Sequence, residues 1–154
     1  CKNNKTLNKA KQSKFDEFYI IKEDAYQTIS GYSEQYAGKS VYCNTDDYRI
    51  SNVWKVFCEN FHNWKLKSLT ATGFNKHGHG IYAHYDGDTL TTSNLKGNGD
   101  FRSMECVNIL MKSDICVTCP PFSLNREYLH LMYFSGKLFL TLSALTVCSY
   151  PWVI

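Results

Sequence analysis

Proline is scarce in these 154 residues: there are three, and two of them, Pro120 and Pro121, are adjacent. No apolar stretch reaches the roughly 20 residues that cross a bilayer. The closest, Leu138 to Ile154, is broken by Thr141, Ser143, Thr146, Ser149 and Pro151, so it reads as a last strand and an ill-defined tail. The N-terminus is lysine-rich with no apolar core behind it, so no secretory leader is visible. The seven cysteines form no even, regular framework, and Cys116-Val-Thr-Cys119 is a lone CxxC whose first thiol lies within a strand pattern, with no second pair to complete a zinc site. His77-Gly-His79 and His84 lack a carboxylate at ligand spacing and read as surface residues, so no metal is expected. Internal repeats and low-complexity tracts are also absent. Reduced thiols and the missing leader together point to a cytoplasmic protein.

The net charge is only +3, but its placement is uneven. Lys2, Lys5, Lys9, Lys11 and Lys14 all precede the first acidic residue, Asp16. Residues 1–14 therefore form a basic arm, solvated or set near a phosphate backbone. Residues 15–136 carry the domain, and residues 137–154 the last strand and apolar tail.

Hydrophobic periodicity orders that domain. Phe15 to Tyr36 is of mixed helical character, and Ser40 to Asn44 reads as a first buried strand. Ser51 is placed to N-cap a helix from Asn52 to Asn60, with Val53, Trp54, Val56 and Phe57 as its apolar stripe. A second strand lies within Leu66 to Gly73. Ile81–Tyr85 and Thr89–Asn94 alternate about Asp86-Gly-Asp88, the pattern of a hairpin. Ser103 is placed to cap a helix through Lys112. Ile115 to Thr118 is a short buried strand that must stop at the prolines, which cannot donate ladder hydrogen bonds. A helix follows, with Leu124, Tyr128 and Leu129 on one face, and then a strand near Lys137 to Leu142. Strands alternating with helices define an α/β chain whose sheet is mostly parallel, with helices on both faces. In such folds ligands bind beyond the carboxyl ends of the strands.

The turn Cys119-Pro-Pro-Phe122 falls at that edge and resembles the Asn-Pro-Pro-Tyr/Phe turn of the amino-methyltransferases that modify adenine in DNA. Gly99-Asp-Phe-Arg-Ser103, Ser113-Asp-Ile115, Pro120-Pro-Phe-Ser-Leu124 and Arg126-Glu-Tyr128 follow one another as in the EcoRI-type adenine-specific modification methyltransferases. Tyr42-Cys-Asn-Thr-Asp-Asp47 is similar to that family's Tyr-Cys-Asn-Cys-Asp-Asp, and Phe15-Asp-Glu-Phe-Tyr19 to its N-terminal cofactor segment. The likeness runs from about Phe15 to Tyr128.

The resemblance implies an incomplete S-adenosylmethionine-dependent methyltransferase (Rossmann-like) sheet. It further implies S-adenosylmethionine as cofactor and double-stranded DNA as substrate, bound weakly without a recognition region. Tyr19, Asn44, Asp46, Asp47, Asp100 and Phe101 are then the candidate cofactor-binding residues. Asp100 would accept from the adenine amine, and Phe101 would pack on its face. Cys119, Pro120, Pro121 and Phe122 are the candidate catalytic residues: in the family the Asn amide and the first Pro carbonyl accept hydrogens of the adenine amine, while the aromatic ring stacks on a flipped base.

Four residues, at three places, depart from the family's pattern. Thr45 replaces a Cys, and Ile20-Ile21 replaces Thr-Gln or Thr-Pro. Cys119 replaces the Asn, and a thiol is a weak acceptor. Beyond Leu131 the likeness decays, and the expectation is a truncated end lacking the DNA-reading region. The function expected is thus adenine N6-methyl transfer, reduced or lost. The alternative is a non-catalytic fragment that binds nucleic acid or a partner.

Overall fold

The computed structural model describes residues 20–143; the basic arm, Tyr19 and the tail beyond Ser143 lie outside the described residues. Helix α1 (Lys22–Ser30) is followed by a 3-10 turn (Ser33–Tyr36) and strand β1 (Ser40–Cys43). Then come α2 (Asn52–Glu59), β2 (Ser68–Gly73), β3 (Ile81–Tyr85), β4 (Leu90–Asn94), α3 (Met104–Lys112) and β5 (Ile115–Thr118). A second 3-10 turn (Phe122–Leu124) leads into α4 (Asn125–Ser135) and β6 (Leu138–Thr141).

The six strands lie in the order β4-β3-β2-β1-β5-β6. β1 is parallel to β2 and to β5, and β6 is parallel to β5. The β3–β4 hairpin adds antiparallel to the outside of β2, so the sheet is mixed with a parallel centre. Each expected strand is present. The last helix begins at Asn125, because Phe122–Leu124 takes the tighter 3-10 form as the chain leaves two prolines.

Both serine caps form: Ser51 Oγ accepts from Trp54 N at 3.1 Å and Ser103 Oγ from Cys106 N at 3.3 Å, satisfying amides that open a helix. Alternation along the central strands then divides the core. Val41, Cys43, Leu69, Ala71, Ile115 and Val117 face one way, under Ala25 and Ile29 of α1 and Val53, Val56 and Phe57 of α2. Tyr42 and Cys116 face the other, under Leu110 of α3 and Tyr128, Leu129 and Met132 of α4. Trp54 lies in the core, and Trp64, half-buried in the turn after α2, packs against it. Its ring stacks on Tyr26 and meets the edge of Phe57 at 5.7 Å.

Candidate active site

From β1 the chain crosses through α2 to β2 on one side; from β5 it crosses through α4 to β6 on the other. The connections thus diverge between β1 and β5, which makes the crevice at their carboxyl ends the switch point of the sheet. Its two lips are residues 44–47 and residues 119–122.

The lips are joined by hydroxyl groups. Asp46 is buried, and its Oδ1 accepts from Ser51 Oγ at 2.7 Å while its Oδ2 accepts from Thr118 Oγ1. Thr118 has one proton and gives it to Asp46, so Thr45 Oγ1, 2.6 Å away, is the donor to Thr118. Thr45 also lies 3.4 Å from the Cys119 carbonyl. Position 45, where the family carries Cys, therefore bridges the two loops. Because Ser51 simultaneously caps α2, one carboxylate couples the end of β1, the start of α2 and the end of β5.

Asn44 is 1% exposed, and neither Oδ1 nor Nδ2 of its amide has a hydrogen-bond partner. Buried amides without partners are uncommon and carry a desolvation cost. Its backbone carbonyl accepts from Thr72 Oγ1 at 3.3 Å, which places the residue beside the end of β2.

Asp47 and Asp100 are built alike, each forked by an arginine two residues on. Arg49 Nε and Nη2 reach Asp47 at 2.9 and 2.6 Å; Arg102 Nε and Nη2 reach Asp100 at 3.0 and 2.7 Å. The guanidinium hydrogen bonds hold both carboxyls below the usual carboxylate range. Close backbone contact brings the two loops together around Gly73. A Cβ on Gly73 would sit 3.0 Å from Asp47 Cα, and one on Gly99 would sit 2.3 Å from the Gly73 carbonyl oxygen.

Phe101 is buried against Tyr128, edge to face with centroids 5.5 Å apart, and the Arg102 guanidinium lies 5.4 Å from its ring centre. The ring thus anchors the loop in the core. Arg102 locks Asp100 and covers Phe101.

On the β5 lip, Cys119 is half-buried, and burial together with the Asp46 charge pushes its thiol up to about 12. Pro120 is buried, and its carbonyl accepts no hydrogen bond among the described residues, whereas Leu124 N–H occupies the Pro121 carbonyl at 3.0 Å. Phe122 is half-buried at the start of the 3-10 turn. Ile20 packs against the core, and its carbonyl accepts from Asn52 Nδ2 at 2.8 Å.

A cavity of about 350 Å³ opens beyond the end of β2, lined by Asp47, Arg49, Phe74, Asn75, His79 and Asn94 among others. Of the candidate residues among the described ones, only Asp47 lines it. Phe74 and Asn75 follow β2 and Asn94 ends β4, and nothing in their local sequence marks them. Among the described residues no cluster of His, Cys, Asp and Glu is placed to hold a metal ion, and no helix is long and apolar enough to cross a membrane.

A parallel-centred sheet with loops of this kind at its switch point defines a partial Rossmann-like methyltransferase domain. Residues 6–153 match the model of the adenine-specific methyltransferase EcoRI family, and the chain belongs to that family. It is 42% identical over 168 aligned positions to the type II methyltransferase M.EcoRI of Escherichia coli, an alignment covering 97% of this chain and 52% of that protein. With the type II methyltransferase M.MpnI of Mycoplasma pneumoniae it shares 41% identity, over 88% of this chain and 43% of the relative. With M.MgeORF184P of Mycoplasma genitalium it shares 36%, over 94% and 45%. The chain thus spans about half the length of these relatives. No solved structure matches it.

Proposed function

We propose that this chain forms the cofactor-binding and catalytic region of a DNA adenine N6-methyltransferase that uses S-adenosylmethionine and acts on double-stranded DNA. One observation carries the reading: the loops after β1 and β5, which the family motifs mark, meet through Asp46, Thr45 and Thr118 at the switch point.

The residues fit the cofactor. Asn44 offers a buried amide with both donor and acceptor unused. Asp47 borders a cavity of about 350 Å³, within the range of small-ligand sites. Phe74 at its rim, 47% exposed, presents an aromatic face suited to a purine. Asp46, with both oxygens committed to hydroxyls, serves to hold the loops rather than to touch the ligand. Tyr19 remains a candidate outside the described residues.

When bound, S-adenosylmethionine supplies an electrophilic methyl group on a sulfonium. The chain's own part is to orient the adenine amine, whose lone pair is delocalised into the ring, by accepting its hydrogens. In this reading the Pro120 carbonyl accepts one, the Phe122 ring stacks on the flipped base, and Cys119 supplies only a neutral thiol where the family has an amide. Transfer is consequently slow.

Calorimetric titration with S-adenosylmethionine tests the reading. Binding is expected, and Asn44→Leu should weaken it about tenfold or more by leaving polar ligand groups unmatched. No heat at millimolar cofactor with a folded chain, or tighter binding of ATP, rejects it. Cofactor and DNA binding without transfer, even after Cys119→Asn, favours the non-catalytic alternative.

A further inference from the structure

Successive side chains of a strand point to opposite faces, so the packing of one residue fixes the direction of the next. Ala71, Val117 and Leu142 lie in the core under α1 and α2. Their neighbours Thr72, Thr118 and Thr141 therefore turn to the α3–α4 side, where Thr72 Oγ1 meets Tyr42 Oη at 2.8 Å. Thr141 stands opposite Thr118 in the register of β5 and β6. Asn44 closes the row at the end of β1, its carbonyl taken by Thr72 Oγ1. α4 meets this row at its first residue: Asn125 is 3% exposed, and its Nδ2 donates to Ser143 Oγ at 2.7 Å. Among the described residues, the buried side-chain atoms without a hydrogen-bond partner are Asn44 Oδ1 and Nδ2, Asn125 Oδ1 and Thr141 Oγ1. All of them belong to this one polar row at the carboxyl edge. Orphaned buried polar atoms are uncommon, and a catalytic or ligand-binding role is one reason a fold retains them.

The cofactor reading uses the Asn44 end of the row and leaves the Asn125–Thr141 end untouched. That end lies on the β6 side of the crevice, one short 3-10 turn beyond Pro121. Its donors and acceptors define what fits. With Nδ2 spent on Ser143, the Asn125 amide offers an acceptor, while the Thr141 hydroxyl is able to donate. Adenine presents the complement along one edge, the N6 amine beside the ring acceptor N7. The amine carries two hydrogens. In the reading above the Pro120 carbonyl takes one, and the neutral Cys119 thiol is a poor acceptor for the other. We propose that Asn125 and Thr141 read the edge of the flipped base. Asn125 Oδ1 accepts from the exocyclic amine, Thr141 Oγ1 donates to the neighbouring ring nitrogen, and the turn Phe122–Leu124 lifts to admit the base. The inference deepens the adenine-methyltransferase reading and rests on it. It concerns the choice of base; Asn125 does not stand where the family's amide does, so the rate of transfer still depends on position 119.

The test titrates the chain with 9-methyladenine and with 6-methoxy-9-methylpurine, which keeps the ring nitrogens and lacks the amine hydrogens. Nuclear magnetic resonance follows the side-chain amide signals of Asn125. Millimolar 9-methyladenine is expected to bind and to move those signals. The methoxy analogue should bind about tenfold or more weakly, because it leaves the amide oxygen unmet. Asn125→Leu should erase the difference between the two purines. Thr141→Val, which keeps the side-chain shape and removes the hydroxyl, should weaken both, and the wild-type comparison stands even where a variant fails to fold. Three outcomes overturn the proposal: no binding of 9-methyladenine by the folded chain, equal affinity for the two purines, or binding that leaves the Asn125 signals unmoved. Its failure is distinct from that of the cofactor reading. S-adenosylmethionine binding without discrimination between the purines strikes the base-edge pair alone, and discrimination without S-adenosylmethionine binding strikes the cofactor reading alone.

Discussion

At Cys119 the thiol is raised from the ordinary value of 9.0 to about 12, first by burial and then by the Asp46 charge. At neutral pH it is protonated and a poor acceptor for an amine hydrogen. Supplying the family's amide by Cys119→Asn should therefore raise adenine methylation on the order of 10²–10³-fold, read as labelled methyl transfer to duplex DNA in an assembly with the unmatched portion of M.EcoRI. An unchanged rate would mean that position 119 does not limit transfer. The same shift has a stability consequence. The unfolded thiol ionises from about pH 9 while the folded one does not until about pH 12, so the folded state binds the extra proton in between and loses stability as pH rises through that window. Below pH 9 the contribution is constant. Cys119→Ser should flatten part of the fall in urea midpoint between pH 9 and pH 10.5; an unaltered slope would assign the fall to other buried thiols and tyrosines.

At the level of elements, the loop before α3 is held by backbone packing that only glycine permits. Gly99 has φ +81° and abuts the Gly73 carbonyl, whereas Gly136, after α4, has φ +66° with open space around its would-be Cβ. Gly136→Ala should cost only the left-handed penalty of about 1–2 kcal/mol. Gly99→Ala adds a steric clash with backbone and should cost visibly more, and since Gly73 also abuts Asp47, it should weaken cofactor binding too. Equal urea midpoints for the two variants would show that the loop relaxes freely. Local rules made much of this level legible. Serines 51 and 103 announced their helices because capping depends on the next three residues. The hairpin was readable because alternation and Asp-Gly-Asp lie side by side. The pairs Asp47–Arg49 and Asp100–Arg102 are equally local, yet an Asp-x-Arg spacing carries no sign of which pairs will fork.

Across the whole molecule, contacts remote in sequence decide how the site is assembled, and these were the least legible. Asp46 stood in the sequence as one more acceptor after a strand. Only folding sets it against Thr118, 72 positions away. The cavity beside Phe74 is hidden for the same reason, since the hairpin must fold back to place Asn94 near Asp47. The Asp46–Thr118 contact also spans the central β1–β5 pair, so it should couple the two halves of the sheet energetically. Asp46→Asn alone weakens charge-assisted bonds to two hydroxyls, and Thr118→Val alone removes one hydroxyl donor from a buried carboxylate. Each should lower stability by about 1–3 kcal/mol. Because both remove the same contact, the double variant should lose less than the sum, with a coupling of about 1–2 kcal/mol in a urea-unfolding cycle. Strict additivity would mean that the two lips are held independently, and the crevice between β1 and β5 would then have to be regarded as two loops that merely lie close.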